Sequence, residues 1–317
     1  MQFCDFRKGF SCVSCNVKQL LSSRCTFVNF LSSPIVFASK WLIMERINAD
    51  DRSFIEKCHF ENISSTLDGG AIVSTAVNIL SVSYCSFTMV QTTGKGGVIF
   101  RQNGNLNVFR CCFRFCRSSN TNNNIGSNAI LIHSAELLMN YSTMFCCWET
   151  TVSADSVTRG ENSIVYAGNY NSSECKGCQT GGILLEIIPS QKCSLLFCNC
   201  YKGNDFRVVT GSGTSPYFIE MSYSNIIKNT VYRIIDNNVN AISCCFYGNS
   251  NYDTYNSIIF SKCYGDFSTV GVTQTSTTYV LIPLNNYDDC FIGTKDPSLM
   301  RKNYPTSIPT LIFIFLA

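Results

Sequence analysis

Cysteine is the residue type here with the most chemistry to offer, at 20 of 317 residues. Thiolates bind zinc in pairs, and Cys12-x-x-Cys15 and Cys175-x-x-Cys178 have the spacing of a zinc knuckle. Cys198 and Cys200 supply another pair. Side chains two apart on a strand seldom converge on one ion, so no metal ligand set is assigned. Thiols can instead be buried as small hydrophobes, or joined as disulfides between layers stacked about 4.8 Å apart. On strands, the doublets Cys111-Cys112, Cys146-Cys147 and Cys244-Cys245 would turn one thiol inward and one outward.

Acid–base chemistry needs grouped carboxylates or a paired histidine. Asp50-Asp51 and Asp288-Asp289 are adjacent residues, which point apart on a strand and lie far from each other in sequence. Asp236 and Asp266, near Arg233, are the remaining grouping, and it is read as solvated turn residues. His59 sits between Cys58 and Phe60 and is expected to face solvent, and His133 lies on the apolar run AILIH. Neither shows a nucleophile or ligand partner in sequence, so triad chemistry is not expected. Neither GxGxxG nor GxxxxGK[ST] occurs. No catalytic, cofactor-binding or metal residue is assigned, no cofactor is implied, and the chain is read as non-enzymatic. Asn62, Asn140 and Asn171 head N-glycosylation sequons, no more than chance gives in a chain rich in Asn, Ser and Thr.

The elements that must hold these residues follow from a repeat. Cys-x-Phe occurs at Cys4/Phe6, Cys25/Phe27, Cys58/Phe60, Cys85/Phe87, Cys111/Phe113 and Cys244/Phe246. Thr143/Phe145 and Cys198/Cys200 are aligned to the same two slots, with the degenerate unit MSYSNIIKN between Cys200 and Cys244. CHFENISSTLDGGAI (Cys58 to Ile72) and CSFTMVQTTGKGGVI (Cys85 to Ile99) share Cys, Phe, Gly-Gly and Ile at identical spacings. Each unit reads as a glycine turn (Gly69-Gly70, Gly96-Gly97, Gly181-Gly182), a short apolar strand, a polar corner such as Arg101 to Asn105, and a second strand. No helical stripe intervenes. Strand-and-turn units of about 20–30 residues predict an all-β, right-handed parallel β-helix of the pectate-lyase type. About 10–12 coils would span 1–295, with 296–317 as a tail.

The segments DGGAI, KGGVI and TGGIL, set beside the Cys/Phe slots, resemble the repeats of chlamydial polymorphic outer-membrane proteins. They are also similar to the β-helix surface proteins of trichomonad parasites. Those families pair the glycine motif with Phe-x-x-Asn, matched here at Phe246 to Asn249. The resemblance implies a surface-exposed, adhesin-like or antigenically variable protein at the cell surface or outside the cell, with host or cell-surface glycans or proteins as partners. The polar loop Arg117 to Asn128 is the expected recognition element. The alternative is a carbohydrate-active β-helix enzyme or its inactive descendant, although the Asn-Thr-Asp and Gly-His-Gly motifs of polygalacturonases are absent.

Only 14% of residues are charged, against about 25% in ordinary domains, and the net charge of +3 is scattered. Nucleic acid is therefore not an expected partner. The first ten residues lack the apolar core of a signal peptide. The final LIFIFLA has seven apolar residues against about 20 for a membrane span. It reads as a last strand or tail, or as the opening of a membrane anchor that continues beyond the C-terminus. Residue 4 already occupies a cysteine slot, so the chain is expected to be a piece of a longer surface protein.

Overall fold

A computed structural model describes residues 5–9, 13–14, 20–37, 52–75, 77–119, 127–147, 156–175, 180–186, 193–201, 204–212, 219–236, 239–249, 253–255, 259–266 and 272–274. The elements among them are all β-strands, and neighbouring strands pair in parallel. The chain is a parallel β-solenoid with three sheets.

Sheet I carries the Cys/Phe slots. It runs through Asp5–Gly9, Thr26–Phe30, His59–Ser65, Ser86–Thr92, Cys112–Arg114, Thr143–Phe145, Asn171–Ser173, Asn199–Tyr201, Asn225–Ile227, Cys245–Tyr247, Cys263–Gly265 and Val272–Gln274. The strands up to Cys263–Gly265 come one per coil. The last pairs with Cys263–Gly265 after a short connection. Sheet II includes Ile35–Phe37, Ile72–Ser74 and Ser156–Glu161, and sheet III includes Arg52–Glu56, Ile79–Ser83 and Ile164–Gly168. Two long strands, Ile99–Phe109 and Ser127–Asn140, run through both and join them edge to edge.

The register explains the repeat. Phe27, Phe60, Phe87 and Phe113 are mutual neighbours in sheet I. Their rings stack at 4.8 Å with interplanar angles of 10–13°, the rung spacing of a parallel sheet. Phe6 extends the stack at 5.2 Å. The next rung departs from the sequence reading: Phe113 pairs with Met144, so Met144 fills the phenylalanine slot and Ser142 the cysteine slot. Phe145 pairs with the outward Arg114 instead. An unbranched thioether fits where the ring stack ends. Cys198 and Cys200 occupy the expected slots, and Ser224 and Ile226 hold them in the degenerate unit.

A residue with positive φ follows eight of the phenylalanine slots by two: Asn29, Asn62, Met89, Phe115, Cys146, Glu174, Lys228 and Gly248. One left-handed residue acts like a bulge and resets the alternation of the strand. The next inward side chain therefore comes three after the slot, not two. Phe30, Ile63, Val90, Cys116, Cys147, Cys175, Asn229 and Asn249 are all buried for this reason. The Phe-x-x-Asn spacing is one instance of this geometry. Asn249 Oδ1 accepts from both Asn229 N and Nδ2 at 3.0 Å, and Asn249 Nδ2 donates to Ile226 O at 2.8 Å.

The glycine pairs divide. Gly69 and Gly96 have φ of 80° and 65°, the left-handed turn expected of them. Gly70 and Gly97 are needed for closeness, since a Cβ on either would collide with the carbonyl oxygen of the next coil. Gly181 and Gly182 instead lie inside the strand Thr180–Glu186, at a register irregularity. The expected corner at Arg101 to Asn105 falls within the continuous strand Ile99–Phe109, where Asn103 and Gly104 are left-handed at φ 61° and 68° and the chain passes from sheet II to sheet III; what differs is Arg101, which is fully buried inside the coil. Its guanidinium donates to Ser74 Oγ, to Val77 O at 2.5 Å and to Asn78 O at 2.9 Å, while Nε has no partner. Burial lowers its pKa to about 10.

Candidate functional site

The inward thiols are structural by placement. Cys25, Cys58, Cys85 and Cys111 are consecutive rungs of one ladder, and Cys116, Cys147 and Cys175 of another; all are buried and none is in a disulfide. Burial pushes the pKa of Cys85, Cys147, Cys175 and Cys200 well up, which keeps them as unreactive thiols. Cys58 and Cys263 go the other way: hydrogen bonding with Cys85 and with Cys244, respectively, lowers each to about 7. The doublets follow the expected alternation in two cases, with Cys147 and Cys244 buried and Cys146 and Cys245 half-buried. In the third, Cys111 and Cys112 are both buried, and Cys112 is disulfide-bonded. Among the described residues no group of three metal-ligating side chains converges. Cys12, Cys15 and Cys178 lie outside them.

His59 does have partners, contrary to the sequence expectation. Its Nδ1 is 2.6 Å from Ser86 Oγ, and its Nε2 is 3.2 Å from Glu61 Oε2. Glu61 shares the outer face because it is two residues on, and Ser86 because it is one rung on. Serine, imidazole and carboxylate thus stand in relay order. A tetrahedral oxyanion also needs N–H donors aimed at it. Here the N–H groups of His59, Ser86 and Cys112 are spent on Cys25, Cys58 and Cys85 carbonyls in the ladder. The arrangement is a polar rung on the outer wall.

His133 is paired as well, on the outer face of sheet II. Its Nδ1 lies 3.0 Å from Glu161 Oε2, and Glu161 Oε1 lies 2.8 Å from Arg159 Nε, off the hydrogen-bonding direction. Arg159 is 5% exposed. One carboxylate between an imidazole and a guanidinium cannot serve as both acid and base in glycoside cleavage, which takes a pair. Asp236 and Asp266 are not brought together. Asp236 ends a sheet II strand, whereas Asp266 follows a sheet I strand and its Oδ2 accepts from Gly248 N at 2.7 Å. Asp50, Asp51, Asp288, Asp289 and residues 120–126 of the polar loop fall outside the described residues, as does 296–317. Of the sequons, Asn62 is exposed, Asn140 half-buried and Asn171 buried. No helix among the described residues is long and apolar enough to cross a membrane.

The most continuous outward feature was not anticipated. From Cys25 on, the described residue just before each cysteine slot is left-handed: Arg24, Lys57, Tyr84, Arg110, Tyr141, Asn169, Phe197, Tyr223, Ser243 and Lys262, with φ of 49–55°. Such a conformation costs a non-glycine residue about 1 kcal/mol or more. Backbone bonding offsets the cost. The N–H groups of Lys57, Tyr84, Arg110, Tyr141 and Asn169 each donate to a carbonyl of the next coil at 2.9–3.0 Å. The corner between sheets III and I is therefore a ladder of its own, with its side chains turned outward.

Those ten side chains comprise four cations, four aromatics, one Asn and one Ser, and no carboxylate. The Arg110 guanidinium lies 5.8 Å from the Tyr84 ring, 5.4 Å from Phe109 and 5.6 Å from Tyr141. Lys57 lies 5.9 Å from Tyr84. Phe197 and Tyr223 stack at 5.5 Å. Tyr141, Phe197 and Tyr223 remain 50%, 36% and 42% exposed. Beside this edge runs the outer row Thr26, His59 and Ser86, which offers hydroxyl and imidazole groups.

No protein-family model, curated protein or solved structure matches the chain.

Proposed function

We propose that this is a non-enzymatic β-solenoid that presents its outer edges and loops to a ligand, adhesin-like, at the cell surface or outside the cell. One observation carries the reading: among the described residues both histidines are bonded to the next rung, His59 to Ser86 and His133 to Glu161, while the exposed aromatics and cations form a line. Variable coil length supports it. Neighbouring rungs are 33 residues apart at Phe27 and Phe60 but 19 apart at Phe246 and Gly265, so coil length varies while the inner slots stay in register. The repeat motifs similar to those of chlamydial and trichomonad surface proteins point the same way. Incubating the full chain with a panel of polysaccharides and glycoproteins tests it. Retention without chain shortening is expected, and release of new reducing or unsaturated ends would overturn it.

A carbohydrate-active enzyme, a lyase and not a hydrolase, is the second reading, favoured by Glu161 between Arg159 and His133. If it holds, Glu161→Gln abolishes any cleavage observed.

A further inference from the structure

We infer that the left-handed edge between sheets III and I is a binding surface for a linear acidic polysaccharide, one carrying carboxylate or sulfate groups. The inference rests on the display reading above and assigns it a surface and a ligand class.

Three features of the edge select this occupant. The first is charge. Arg24, Lys57, Arg110 and Lys262 are all exposed, and no carboxylate occupies any of the ten corner positions. Beside the corner, Glu56 pairs with Lys57, its Oε1 2.8 Å from Lys57 Nζ. The second is the aromatic content: Tyr141, Phe197 and Tyr223 are each more than a third exposed. The carbon–hydrogen faces of pyranose rings pack on aromatic rings, and the neighbouring row of Thr26, His59 and Ser86 can meet their hydroxyls. The third is periodicity. Corner residues repeat once per coil, about 4.8 Å apart, so the surface is a line. A line of repeating contacts matches a polymer of repeating units better than a compact ligand or a folded protein.

Single-stranded nucleic acid is also anionic and stacks on aromatics. The edge has four cations over ten rungs, and Arg110 is already surrounded by Tyr84, Phe109 and Tyr141. That is a sparse charge density for a ligand with one phosphate per nucleotide, whereas acidic glycans mix charged and neutral groups.

The left-handed backbone also supplies a clean set of variants. Asparagine tolerates this conformation better than most residues, so Arg110→Asn, Tyr141→Asn and Tyr223→Asn remove the cation or ring while sparing the corner. Tyr166, 38% exposed on the outer face of sheet III, is the control as Tyr166→Asn. Binding of the full chain to polygalacturonate oligomers, heparin-type sulfated oligosaccharides, uncharged cello-oligosaccharides and oligo-dT would be measured by calorimetry at 50 and 300 mM salt. Circular dichroism of each variant confirms folding.

The expected result is salt-sensitive binding to at least one acidic oligosaccharide. That binding is weakened tenfold or more by Arg110→Asn and by Tyr141→Asn, and by less than twofold in Tyr166→Asn. The inference is overturned if no acidic oligosaccharide binds, if the edge variants bind like wild type, or if cello-oligosaccharides or oligo-dT bind more tightly. Cleavage of a bound oligosaccharide would instead overturn the non-enzymatic reading, and the edge variants would still report whether this surface holds the polymer.

Discussion

Replacing Phe87 with alanine should weaken one part of this solenoid far more than the rest. Phe87 is fully buried, and its ring stacks at 4.8 Å on Phe60 at one side and Phe113 at the other. Truncating a buried phenylalanine costs about 3–5 kcal/mol from lost transfer energy and the remaining cavity. Two aromatic contacts go with it, each worth about 0.5–1.5 kcal/mol, partly counted already. The cavity cannot collapse easily, because the rungs on both sides are fixed by the backbone ladders. A loss of about 4–5 kcal/mol follows. In a solenoid each coil is supported by its neighbours, so the loss should be local. Hydrogen exchange measured by mass spectrometry should show protection falling in 59–65, 86–92 and 112–114, with 225–247 little changed. Phe115→Asn is the matched control, since Phe115 is 46% exposed and left-handed, and it should cost less than about 0.5 kcal/mol. A Phe87→Ala loss below about 1.5 kcal/mol, or protection falling equally in all coils, would refute the stacked ladder.

Stability should fall steeply in alkali. Cys198 is buried and burial pushes its pKa to about 12 from an ordinary 9.0, so above pH 9 the unfolded chain gives up a proton that the folded chain retains. The unfolded state then binds fewer protons and gains on the folded state by about 1.4 kcal/mol per pH unit. Urea midpoints at pH 8 and 10.5 should diverge, and Cys198→Ala should reduce the divergence. Lys57→Val places a β-branched side chain at φ 54° and should cost about 1–2 kcal/mol in urea unfolding, whereas Lys57→Asn should change it by less than about 0.5 kcal/mol. Asn249→Ala removes the acceptor of Asn229 N, while Asn229 Nδ2 keeps the Cys200 and Ile227 carbonyls, and thermal unfolding should show a loss of about 1–3 kcal/mol.

The inner rungs were legible in the sequence because they obey a simple rule: Cys and Phe two apart, repeated at coil length. The rule failed at Thr143-x-Phe145, where the pattern of residue types is kept but the register slips by one and Met144 turns inward. Only the neighbouring rung reveals that slip. The corners were mostly invisible. Glycine announces a left-handed turn at Gly69 and Gly96, but Arg24, Tyr84, Tyr141 and Phe197 carry no such label. Their conformation is imposed by hydrogen bonds to the next coil. Arg101 misled for a related reason, since its charge reads as surface until three oxygens of the preceding coil are seen to surround the guanidinium. The partners of His59 were within reach. Glu61 lies two residues on, and the 27-residue repeat already placed Ser86 beside it. The edge of cations and aromatics needed both the register and the φ angles before its members fell into one line.

Parallel, in-register coils are the foundation of the fold and of the proposed binding edge. The most direct test is a methyl NOE measurement on protein labelled at isoleucine and valine methyls. Ile63 and Val90 are 27 residues apart in sequence and direct neighbours across one rung of sheet I, both buried. A strong cross-peak between their methyl groups is predicted, together with one between Ile55 and Val82, which are paired in sheet III. Absence of both cross-peaks in the folded protein, or cross-peaks pairing Ile63 with Val82 instead, would contradict the solenoid register.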